Sequence, residues 1–169
     1  MDKQYKFSTT QVDLSDEAAS KFLETGKDLI SQKDLFGDGF ETTPHVTILY
    51  GIHESHPIPQ LVDIIETYPR FTVVLGDISL FDDDENFDVV KTEVKSPDLY
   101  ILRSEFLNNC HYTLTHPEYI PHATIAFAKK GTCNHLVGNP AFRGLAFPVN
   151  HIIFSGTDGT HRKIMLGIR

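Results

Sequence analysis

Cysteine is scarce: Cys110 and Cys133 are the only two, and they form no CxxC pair. That pattern argues against a disulfide framework and for buried thiols in a reducing compartment. No apolar run is long enough to cross a bilayer. The opening residues, MDKQYKFSTTQVDL, lack the apolar core of a signal peptide, so a cytoplasmic protein is expected. Basic residues are in deficit, with 15 Lys and Arg against 23 Asp and Glu and a net charge of −8. A broad grip on duplex DNA or long RNA usually needs a basic face, so the balance favours small nucleotides or strand ends.

Other absences narrow the chemistry. There is no Walker loop, no GxSxG and no Rossmann glycine pattern, which leaves triphosphate hydrolysis, serine-esterase chemistry and dinucleotide redox chemistry unsupported. His111 and His116, with His53 and His56, could suggest zinc, but no HxH or HExxH spacing occurs. The acidic run Asp82 to Glu85 lacks the alternating ligands of a calcium loop and reads as a solvated turn. No metal or other cofactor is expected. No Pro-, Gly- or Ser-rich linker divides the chain, so residues 1–169 are expected to form one domain of two tightly joined lobes, and a monomer.

What the chain does contain is a repeated heptapeptide. Residues 44–50 read PHVTILY and residues 121–127 read PHATIAF. Both are β-branched, aromatic and apolar apart from one His and one Thr, the pattern of a strand. Side chains alternate along a strand, so His45 and Thr47 share one face, as do His122 and Thr124. Val46, Ile48, Ala123 and Ile125 then face a core. Two imidazoles can give and take protons near neutral pH, and two hydroxyls can donate to a phosphate as charge builds on it. That equipment can break a phosphodiester without a metal. The near symmetry leaves open which His is acid and which is base.

Around these strands the sequence predicts β-α-β-α-β-β-α-β-β-β. A first strand covers residues 5–12. A helix over residues 15–30 is capped by Ser15 and buries Ala18, Phe22, Leu29 and Ile30. A glycine-containing loop spans residues 34–43, and a shorter helix closes at Pro69. Strands follow at 70–81 and 87–96, then a helix over 97–110 and a loop over 111–119. Two last strands, 145–155 and 161–168, flank the turn GTDG. Tyr119 is placed to stack on a base or touch the phosphate, Phe81 is a candidate stacking platform, and Lys91 could neutralise a phosphate. Ser8, Thr10 and Ser155 are further candidates to line a groove.

His45-Val46-Thr47 and His122-Ala123-Thr124 resemble the paired H-x-[ST] motifs of the 2H phosphoesterase superfamily. The segments TPHVTILYG, SPDL and HPEYIPHATIAFAKKG resemble the 2′-5′ RNA ligase-like proteins common in bacteriophage genomes. The resemblance implies an α+β bilobal fold: two pseudo-symmetric antiparallel sheets, helices on the outer faces and a central groove. It also implies a metal-independent phosphodiesterase with His45, Thr47, His122 and Thr124 as catalytic residues. The expected substrate is a small cyclic di- or oligonucleotide of the kind bacterial immune systems use as alarms, which some phage members of the superfamily degrade. The alternatives are RNA 2′,3′-cyclic phosphates or 2′-5′ linkages, and a nucleotide sponge without turnover.

Overall fold

The computed structural model describes residues 5–168, folded as nine strands and three helices. The chain runs β1 (Ser8–Asp13), α1 (Asp16–Leu29), β2 (Leu35–Phe40), β3 (His45–Ile52), α2 (Pro59–Thr67), β4 (Phe71–Phe81), β5 (Phe87–Lys95), α3 (Pro97–Leu107), β6 (His122–Lys129), β7 (Ala146–Val149), β8 (His151–Ser155) and β9 (His161–Met165). The strand order is β7-β4-β5-β6-β3-β1-β8-β9, antiparallel throughout, with β2 sharing one edge of β6 with β3. The motif strands β3 and β6 are therefore central neighbours. They join through one residue pair, Val46 opposite Ala123, so the two expected sheets run on as one. Beyond that pair β2 takes over the edge of β6 at Ala126 and Ala128.

The helices lie against the apolar face of the sheet. Ser15 caps α1, its hydroxyl accepting from the Ala18 amide, and Ala18 and Phe22 point inward as their helical spacing requires. α1 packs behind β2 and β6, and α3 packs behind β3. Gly26, a weak helix former, is where α1 comes nearest: a Cβ there would lie 2.9 Å from Ile125. Leu99, Leu102 and Phe106 are the buried stripe of α3, and α2 contributes Leu61 and Ile65. One buried apolar cluster runs through both halves.

Three readings of the sequence change. The segment 34–43, expected as a loop, contains β2. Gly37 and Gly39 hold φ of 57° and 70° inside that strand, and the irregular register erases the alternation a strand would show. The expected strand 145–155 is two strands parted at Asn150. β7 pairs with β4 at one end of the sheet, and β8 pairs with β1 and β9 near the other. Pro148 is tolerated because β7 is an edge strand. Ser8 and Thr10 do not line a groove. They are buried, the Ser8 hydroxyl donating to the Glu54 carbonyl at 2.7 Å and the Thr10 hydroxyl accepting from the Leu49 amide at 3.2 Å beside a register shift.

Candidate active site

The strand pattern delivers the motif side chains as alternation requires. Val46, Ile48, Ala123 and Ile125 are buried, while His45, Thr47, His122 and Thr124 are half-buried on the other face. The strands are antiparallel with Val46 opposite Ala123, so that register sets His45 beside Thr124 and Thr47 beside His122. The outer strands repeat the arrangement. Asp13 and Gln11 on β1 lie opposite His45 and Thr47, and Glu93 and Lys91 on β5 lie opposite His122 and Thr124. Each half thus places an acid across from its His and a longer polar side chain across from its Thr.

Both imidazoles are anchored the same way. His45 Nδ1 lies 2.9 Å from the Thr43 carbonyl, and His122 Nδ1 lies 2.8 Å from the Ile120 carbonyl. A carbonyl oxygen only accepts, so Nδ1 carries the hydrogen in each ring. Nε2 is left as the working nitrogen of both. It is a base when the ring is neutral and an acid when the ring is charged.

The second half is the drier and more cationic. Phe81 sets its ring edgewise to His122, with centroids 4.8 Å apart. Lys91 is only 4% exposed; its Nζ lies 4.4 Å from the Phe81 centroid and donates to Ser79 Oγ at 2.5 Å. It forms no ion pair with a described carboxylate. Burial holds the Lys91 pKa below its ordinary value, with Glu93 working the other way. Burial is also the main reason the His122 pKa is lowered. Its Ile120 hydrogen bond opposes that, and the charges of Lys91, His45 and His116 add to it.

Where the motif strands part beyond Thr47 and His122, a cavity of about 410 Å³ opens. Tyr119 crosses the gap, its hydroxyl donating to the Thr47 carbonyl at 2.8 Å. Phe81, Tyr50 and Ile120 supply apolar wall, and Arg103 and His116 supply a guanidinium and an imidazole. The loop carrying His116 and Tyr119 is tied to the end of β3. The Thr113 amide donates to the Gly51 carbonyl, His53 Nε2 meets Thr113 Oγ1 at 2.7 Å, and His111 Nδ1 meets Glu54 at 2.9 Å. Gly51 has φ of 107°, and a Cβ there would fall 2.1 Å from the Thr113 carbonyl oxygen, so only glycine fits.

The structure therefore brings Tyr119 and Phe81 to the same cavity as Thr47 and His122, and sets Lys91 beside Thr124 behind Phe81. Gln11, Asp13, Glu93, Ser79 and Arg103 carry no motif in the sequence. The first four become visible only through strand register. Arg103 is an ordinary-looking arginine in a helix until α3 is set against Tyr119, 4.7 Å from its ring. Among the described residues no group of three or more His, Cys, Asp or Glu is arranged to hold a metal ion. No described helix is long and apolar enough to cross a membrane.

The mixed fold, one curled antiparallel sheet with three helices, is also that of solved structures. No protein-family model matches the sequence, and no curated protein matches it. Solved structures do. TT0787 of Thermus thermophilus superposes with a TM-score of 0.67 at 15% identity, over 95% of this chain and 97% of that one. Kluyveromyces marxianus Usb1 gives 0.64 at 10% identity, over 96% and 99%. E. coli LigT in its apo form gives 0.63 at 14% identity, over 99% and 100%.

Proposed function

We propose that this protein is a metal-independent phosphodiesterase for small nucleotides, with His45 and His122 as its acid–base pair and Thr47 and Thr124 as its phosphate clamps. The observation that carries this reading is the identical anchoring of the two rings. Each Nδ1 is fixed by the carbonyl two residues upstream, and each Nε2 is left for chemistry. A pure binding module has no need of two oriented proton-transfer groups.

The surroundings favour one assignment of acid and base. A buried imidazole near Lys91 stays neutral more readily, so His122 is the base and His45 the acid. His122 Nε2 takes a proton from water, whose oxygen attacks phosphorus. The P–O bond to the ribose oxygen breaks, and His45 gives its Nε2 proton to that oxygen. Thr47 and Thr124 donate to the non-bridging oxygens as negative charge builds there. One proton then passes from His122 to His45 through solvent, and one water has been consumed.

Within this class the net charge of −8 and the resemblance to phage proteins favour a cyclic di- or oligonucleotide signal over long RNA. Opening of RNA 2′,3′-cyclic phosphates is the second reading, supported by the likeness of fold to E. coli LigT, a protein whose structure is known with 3′-AMP. The test is a hydrolysis screen in EDTA over cyclic di- and trinucleotides, 2′,3′-cyclic mononucleotides and 2′-5′-linked adenylates. His45→Ala and His122→Ala are expected to lose turnover while keeping ligand affinity. Tight binding without any cleavage would leave a nucleotide sponge in place of an enzyme.

A further inference from the structure

We propose that Arg103, stacked on Tyr119, is a second anion subsite, so that the preferred substrate carries another phosphate one nucleoside away from the scissile one. The inference rests on the nucleotide reading of the HxT site and goes beyond it. The cavity beside Thr47 and His122 is within the usual size of a small-molecule site, and Arg103 lines it too.

Tyr119 links Thr47 to Arg103. Its hydroxyl is held on the Thr47 carbonyl, its ring meets Tyr100 at 5.3 Å in an edge-on contact, and the Arg103 guanidinium lies 4.7 Å from its centroid. Stacking occupies the face of a guanidinium and leaves its N–H edge to bind. Arg103 is half-buried and forms no ion pair or hydrogen bond with another described residue. Elsewhere arginine is used as a structural partner: Arg143 grips Asp77 through two hydrogen bonds of 2.7 and 2.8 Å. A planar, pre-positioned and unused fork is suited to a phosphate.

The remaining charges on the cavity fit a small ligand. His116 adds an imidazole with N–H donor capacity. Asp83 and Glu118 are both exposed on its rim, where they can accept from ribose hydroxyls or base amino groups and repel a longer polyanion. The geometry thus suits a 3′-phosphate at the HxT pairs, a nucleoside along Phe81 and Tyr119, and a 5′-phosphate at Arg103.

Binding of two non-reacting nucleotides, 3′-AMP and adenosine 3′,5′-bisphosphate, tests this by titration calorimetry. The wild-type protein is expected to bind the bisphosphate about tenfold more tightly, as one charge-assisted contact permits. In Arg103→Ala that preference disappears while 3′-AMP affinity changes less than about twofold, and Arg103→Lys keeps part of it. Equal wild-type affinity for both nucleotides overturns the subsite and leaves the HxT site standing. An equal loss of both in Arg103→Ala also overturns it, because the arginine would then only steady Tyr119. Failure of the wild type to bind either one removes the nucleotide reading and this inference together.

Discussion

Lys91 and Gln11 hold equivalent places in the two halves: each lies across the ladder from the Thr of an HxT pair, one charged and the other not. This is one break in the match between the halves, and its charge adds to the burial that lowers the His122 pKa. Lys91→Gln makes the halves alike. With the ammonium gone, the His122 pKa rises toward its ordinary value, although burial still holds it down. The acidic limb of kcat/KM then moves to higher pH than in the wild type. A limb that stays in place would show that Lys91 does not act on His122.

The wild-type profile carries its own sign. As the proposed base, His122 has to be neutral to act, and its pKa lies below the ordinary imidazole value of about 6.5. Activity should therefore persist below that pH and fall only as the pH drops through the lowered value. His122→Ala should remove this limb and cost about 10²–10⁴-fold in rate. Profiles with a single cyclic substrate would show whether the limb and the residue go together.

Thr47→Val and Thr124→Val keep the β-branched shape and remove the donor. Each should lower kcat by about 10²-fold with little change in melting temperature, since a hydroxyl that serves the transition state is worth more there than in the fold. Loss in only one of the two variants would mean that the phosphate leans on one half alone.

Gly51→Ala tests the tether of the loop that carries Tyr119. The φ of 107° is strained for alanine by about 1–3 kcal/mol, and the added carbon meets the Thr113 oxygen. The loop should detach before the sheet unfolds. Substrate affinity would fall more than global stability, read as raised KM and faster hydrogen exchange across residues 111–119.

The motif strands were legible because they state two rules at once: alternation and repetition. His45, Thr47, His122 and Thr124 needed nothing more to be placed on common faces. β2 was not legible because its two positive-φ glycines replace alternation with a bulge. The split at Asn150 was hidden because β7 and β8 are adjacent in sequence and distant in the sheet, a separation that depends on tertiary pairing. Lys91 could be noted from sequence, but its burial under Phe81 and its place opposite Thr124 are properties of register. Arg103 gave no signal, since a stacked arginine and a solvated one look the same in a helix.

The crossing of the helices has a consequence for how the site comes into being. α1, which follows β1, backs the second motif strand, and α3, which leads into β6, backs the first. Each half lends the other the wall against which its His-bearing strand is set. Neither half can therefore mature by itself, and a chain cut between them should yield two fragments that acquire their working imidazoles only on recombining. The two imidazoles are thus expected to reach their places together, in the step that closes the fold.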